Sequence, residues 1–193
     1  MTQANKQLVM TIGLPFSGKS TMAQEYKAMG WEIIERDVLL QEVIDSPEFK
    51  DWSDKLYETT EDNREVFLEK SKVATFLIGE RVKKLIRQSL NPHIFYDGTN
   101  LQRETREPIL ELNKEGWQIN AIYFDLPIDV IIERALEAKR SREGKFNEGA
   151  FRSLHLMTQM LNPPTEEEGF REIKVIRENR EASIELRNQI KKK

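Results

Sequence analysis

Residues 8–21 read LVMTIGLPFSGKST. Leu8 to Ile12 is a short apolar run ending at a glycine, the pattern of a buried strand. The eight residues that follow are Gly13-Leu14-Pro15-Phe16-Ser17-Gly18-Lys19-Ser20. They match G-x-x-x-x-G-K-[ST] in full. The glycines let the backbone wrap so that successive N–H groups point inward at phosphate oxygens. Lys19 places a cation against the outer phosphates, and Ser20 offers a hydroxyl to magnesium. Ser20 to Met29 reads as a helix stopped by Gly30, and its positive end faces the same anion. A strand, this loop and a helix in that order predict a nucleoside triphosphate site. Gly13, Pro15, Phe16, Ser17, Gly18, Lys19, Ser20 and Thr21 are its expected cradle, with ATP and Mg2+ as the expected ligands.

Working outward, strands and helices alternate. Trp31–Glu35, His93–Tyr96, Trp117–Phe124 and Ile173–Ile176 are the further strand candidates. Residues 38–89 hold almost no Gly or Pro and read as helix, with Pro47 suited to a first turn and Thr60 to a cap. Glu104–Glu115 (stopped by Gly116), Ile128–Lys139, Ala150–Leu161 and Arg180–Ile190 are expected helices. The alternation predicts an α/β fold of the P-loop NTPase type: a five-stranded parallel sheet flanked by helices, with a helical insert at 38–90 and a short basic lid at 134–149.

Composition narrows the function. At 193 residues the chain is expected to be one domain, 1–193. With 33 acidic and 30 basic side chains the net charge is −3, which excludes a strongly basic nucleic-acid scaffold. The absence of cysteine excludes a disulfide framework, a zinc-thiolate site and a cysteine nucleophile. The polar start MTQANKQLVM lacks the pattern of a secretory signal, and no stretch approaches 18 apolar residues, so a cytoplasmic protein without membrane contact is expected.

The parallel sheet also points to the acceptor side. Ligands sit beyond the carboxyl ends of such strands. Asp37 follows the second strand and is expected in the crevice with Lys19, where a carboxylate can take a hydroxyl proton as the alcohol attacks the terminal phosphate. A helix N-cap is the competing role for Asp37. Asp97 ends the third strand and could hold magnesium with Ser20; Asp97-Gly98 is equally a turn pair. From Arg134 to Lys145 the chain carries Arg134, Lys139, Arg140, Arg142 and Lys145 against Glu137 and Glu143, a net of +3. An arginine there can cap the transferring phosphoryl group, or simply face solvent at a helix end. His93 and His155 are isolated and read as structural; Trp31, Trp117 and Phe124 read as core.

The run LVMTIGLPFSGKST, then IIERD, then IFYDGTN, then the basic Arg140–Arg142 segment resembles the 5′-hydroxyl polynucleotide kinase domain, a member of the wider group of small P-loop kinases. Pro163-Pro164-Thr165 to Glu168-Gly169-Phe170 looks like the P-T-x-x-E-G-F stretch that closes the kinase domain of animal polynucleotide kinase-phosphatases. The resemblance covers about residues 8–176. It implies that Lys19 and Ser20 are the phosphate and magnesium ligands, Asp37 the general base, Asp97 the aspartate of the D-x-T-N motif, and Arg140 or Arg142 the lid arginine. Two positions depart from the pattern: Glu35 replaces Asn in N-R-D, and Leu40 stands where phage members carry an arginine. The segment Glu42–Lys70 is also acidic, with ten acidic and four basic residues. The expected reaction is transfer of the ATP γ-phosphoryl group to an alcohol, first the 5′-hydroxyl of a DNA or RNA end. A small sugar, nucleoside or nucleotide-sugar alcohol is the alternative acceptor. A nucleotide-binding regulator without transfer activity is a further alternative.

Overall fold

In the computed structural model, which describes residues 5–59, 63–140 and 148–177, the apolar run becomes β1 (Gln7–Ile12), the middle strand of a five-stranded sheet. Helix α1 (Lys19–Ala28) follows the loop and returns the chain to β2 (Glu32–Glu35). Next come α2 (Arg36–Asp45), α3 (Pro47–Thr59), α4 (Asn63–Gln88) and β3 (His93–Asp97). Helix α5 (Arg103–Leu110) leads to β4 (Gln118–Phe124), and α6 (Ile128–Arg140) and α7 (Glu148–Met160) lead to β5 (Glu172–Ile176). The strand order is β2-β3-β1-β4-β5, and every pair is parallel. A parallel sheet puts all its strand-to-helix turns on one edge. The turns after β1, β2 and β3 therefore converge, which is what assembles the site.

Alternation along the strands divides the core. Leu8, Met10, Ile12, Ile94, Tyr96, Ile119, Ala121 and Tyr123 face the layer of α2, α4 and α5. Val9, Phe95, Ile122 and Phe124 face α1 through Ala23, Met22 and Tyr26. A third cluster of Leu14, Leu101, Ile131, Ala135 and Leu154 ties the phosphate loop to α6 and α7.

The expected parallel α/β sheet is present. Within residues 38–89 the helix divides at Ser46-Pro47. The Ser46 hydroxyl donates to the Val43 carbonyl (2.7 Å) and accepts the Phe49 N–H (3.3 Å), so one side chain closes α2 and caps α3. Helix α4 is not peripheral: Ala74, Ile78, Val82 and Ile86 are buried in the same cluster as β1. The single helix expected over Glu104–Glu115 is α-helical only to Leu110 and then tightens to a 3-10 turn over Glu111–Glu115. The N–H groups of Gly116 and Trp117 close it on the carbonyls of Asn113 and Leu112. Trp117 and Phe124 lie in the core, while Trp31 is half-buried and stacks edge-on to Tyr26. Thr60 and the segment 180–190 lie outside the described residues.

Candidate active site

The loop between β1 and α1 is shaped by contacts behind it. The Gly13 N–H donates to the Thr99 carbonyl at 3.0 Å. A Cβ on Gly13 would sit 2.9 Å from Phe124 Cβ, and its φ of 152° lies outside the range comfortable for L side chains. At the tip Phe16 adopts φ 64°, left-handed for a non-glycine residue. Gly18, at φ 104°, is the N-cap of α1 and turns the chain from loop to helix. The N–H groups of the first turn have no acceptor within the helix and are available to an anion.

This loop forms one wall of a cleft of about 620 Å³ lined by Pro15, Phe16, Gly18, Lys19, Ser20, Thr21, Glu35, Asp37, Asp97, Gly98, Thr99, Arg134 and Ala138. Lys19 is 7% exposed, and its Nζ donates to the Leu14 carbonyl (2.6 Å) and Ser17 Oγ (3.3 Å). Burial pulls its pKa down from 10.5 to about 8, while the fields of Asp97 and Asp37 push the other way. Those fields place both carboxylates within electrostatic reach of the lysine. Gly13 and Ser17 do not line the cleft: Gly13 braces the loop from behind, and buried Ser17 supports Lys19.

Asp37 lines the same cleft. Helix α2 begins one residue before it, with Glu35 at the N-cap position and no side-chain cap bond, so Asp37 sits in the first turn with its carboxylate exposed to the cleft. The cap role weighed for it is not realised. Glu35 lines the cleft beside it. The stem of Arg36 lies across Gly98, where a Cβ would come within 3.1 Å of Arg36 Cβ and Cδ.

Asp97 is buried at the end of β3 and lines the cleft with Lys19 and Gly98. Thr11 holds it there: its hydroxyl accepts the Gly98 N–H (3.0 Å) and approaches Asp97 Oδ1 (3.3 Å). The Ser20 hydroxyl and the Asp97 carboxylate, facing one cleft, are hard oxygen donors of the kind Mg2+ takes. Among the described residues no group of three His, Cys, Asp or Glu could hold a metal ion. A magnesium ion here would complete its shell with water and substrate phosphates, as this ion commonly does.

On the lid side, Arg140 is the last residue of α6, and Arg142 lies outside the described residues. Among the described residues of the basic stretch, Arg134 reaches the loop: its Nη1 donates to the Ser17 carbonyl at 3.1 Å. Sequence reasoning placed Arg134 in the basic stretch without singling it out; its place one turn and a half before the end of α6 carries no mark of its own. His93 stacks on Trp31 at 5.1 Å, and His155 is exposed on α7; neither lines the cleft.

A family described as an AAA domain matches residues 8–164. The chain belongs to this family. No curated protein matches it. Among solved structures, a candidate kinase from Chloroflexus aurantiacus is 14% identical with a TM-score of 0.58, the match covering 97% of each chain. A gluconokinase from Sinorhizobium meliloti is 21% identical with a TM-score of 0.53, covering 91% of this chain and 84% of that one. A sugar kinase from Janibacter is 19% identical with a TM-score of 0.50, covering 90% and 86%. At these identities the likeness is one of fold: a family member with the five-stranded, P-loop kinase-like architecture. Among the described residues no helix is long and apolar enough to cross a membrane.

Proposed function

We propose that the protein is an ATP- and magnesium-dependent kinase that transfers the γ-phosphoryl group to an alcohol, with Asp37 as general base. The observation that carries this reading is the cleft itself: Lys19 and Asp37 line one cleft, and the field of the carboxylate reaches the lysine. The triphosphate is cradled by Pro15, Phe16, Gly18, Lys19, Ser20 and Thr21, with Gly13 and Ser17 supporting the loop from behind. Lys19 swings from the Leu14 carbonyl to the outer phosphates. Asp37 takes the proton of the acceptor hydroxyl as its oxygen bonds to the γ-phosphorus, and the bond to the β–γ bridging oxygen breaks to release ADP. Lys19 and Arg134 stabilise the charge on the transferring group, with Arg140 and Arg142 as further lid cations. Ser20 and Asp97 would hold Mg2+, which neutralises charge on the phosphate oxygens. The protein is proposed to be a single domain, working in the cytoplasm.

Two acceptors are supported by different observations. The 5′-hydroxyl of a DNA or RNA end rests on the ordered IIERD and IFYDGTN segments. A small polyol is favoured by the acceptor wall, where Glu35 and Asp37 offer two carboxylates to hydroxyl groups and poor ground to a polyanion. The gluconokinase and sugar kinase folds point the same way. Labelled γ-phosphate transfer to a panel of 5′-hydroxyl oligonucleotides, sugars and nucleosides separates them. An oligonucleotide acceptor shows binding that weakens with salt, with a log–log slope of about 0.7 per phosphate neutralised on single strands and about 0.9 on duplex. A small neutral alcohol shows little dependence. Nucleotide binding with no transfer to any alcohol would make the protein a regulator.

A further inference from the structure

Arg106 of α5 is wholly buried although the cleft lining does not include it. Its Nε and Nη2 donate in a fork to Glu168 Oε2 and Oε1, both at 2.7 Å. Its Nη1 donates to three backbone carbonyls: Asn100 (3.1 Å), Leu101 (3.0 Å) and Asn162 (3.0 Å). The fork neutralises the buried charge but leaves the Nη1 N–H groups to be satisfied elsewhere. Here one guanidinium also gathers the turn after β3 and the end of α7. Glu168 is itself fixed, since its Oε1 accepts the Thr165 N–H (3.1 Å) within a capping box.

The turn after β3 is thereby held from two sides. From the sheet, Thr11 accepts the Gly98 N–H, its carbonyl accepts from Asn100 Nδ2 (2.9 Å), and the Gly13 N–H donates to Thr99 (3.0 Å). From the other side stands Arg106. Between them Asn100 is kept at φ 42°, a conformation a non-glycine residue holds when its surroundings impose it. This turn starts at Asp97, which lines the cleft with Ser20, and its Thr99 carbonyl holds Gly13 of the phosphate loop.

We propose that Arg106, oriented by Glu168, is a positioning residue for the metal-side wall of the cleft: it fixes the 97–101 turn so that Asp97 and Ser20 share one Mg2+. The proposal rests on the phosphotransferase reading above. The test is titration of a fluorescent ATP analogue at a series of Mg2+ concentrations, on wild type, Arg106→Lys and Glu168→Gln, with thermal melts alongside. In both variants the Mg2+ concentration needed for half-maximal enhancement is expected to rise about 10–100-fold, a larger change than any loss of metal-free nucleotide affinity through the Thr99–Gly13 contact. In the transfer assay kcat should fall more than the KM for the alcohol rises. Should Arg106→Lys or Glu168→Gln fail to fold, Glu168→Asp keeps the charge and shortens its reach, and the same rise is expected. A lower melting temperature with an unchanged Mg2+ midpoint would show a purely stabilising pair and overturn the proposal. Wild-type protein that binds no magnesium nucleotide would sink the phosphotransferase reading and this proposal with it; wild-type binding with unaffected variants sinks this proposal alone.

Discussion

Lys19 carries an electrostatic conflict at the scale of one residue. Its burial lowers its pKa to about 8, yet a triphosphate needs its charge. Above pH 8 the ligand-free protein loses that proton, so nucleotide affinity should fall by up to about tenfold between pH 8 and pH 9. Isothermal titration across that range checks this, with Lys19→Met as the flat control. The sign for folding is opposite. Between about 8 and 10.5 the unfolded chain holds a proton that the folded chain does not, so stability rises with pH across that window. Wild type should gain on the order of 3 kcal/mol over Lys19→Met through it, measured by urea denaturation.

At the scale of elements, the turn from β1 into α1 depends on Gly13 passing beneath Phe124. Gly13→Ala puts a Cβ 2.9 Å from Phe124 Cβ and 3.2 Å from its carbonyl oxygen, so β4 or the loop must shift. Nucleotide affinity should fall more than about tenfold, with a destabilisation of roughly 1–3 kcal/mol. An unchanged affinity would mean that the loop tolerates displacement. This element was legible because its strand, glycines, lysine and helix are contiguous. Asp37 and Asp97 were legible for a different reason: a parallel sheet collects the residues at its strand ends, wherever they lie in the chain. The pairing of Arg106 with Glu168 was not, since 62 residues separate them and nothing local marks an arginine in α5 for burial. Nor was the contact of Arg134 with the Ser17 carbonyl legible, because helical phase against the loop decides it. The 3-10 tightening after Leu110 also follows from closure on Leu112 and Asn113 rather than from any change in composition.

For the whole molecule, the question is whether the helices between β2 and β3 stand apart or belong to one core. Ile78 and Ile86 of α4 are almost fully buried beside strand residues of β1 and β3. Ile78→Ala should therefore cost about 2–5 kcal/mol, in one cooperative transition seen alike by tryptophan fluorescence and far-UV circular dichroism. Two separated transitions would show that α2–α4 fold as their own unit. The most direct test of the central claim is the rate of γ-phosphoryl transfer by Asp37→Asn at nucleotide saturation, using the best alcohol of the panel. Loss of the base should lower kcat by about 10²–10⁴ while the Kd for magnesium nucleotide at pH 7 stays within about threefold. Transfer at the wild-type rate by Asp37→Asn would contradict the account.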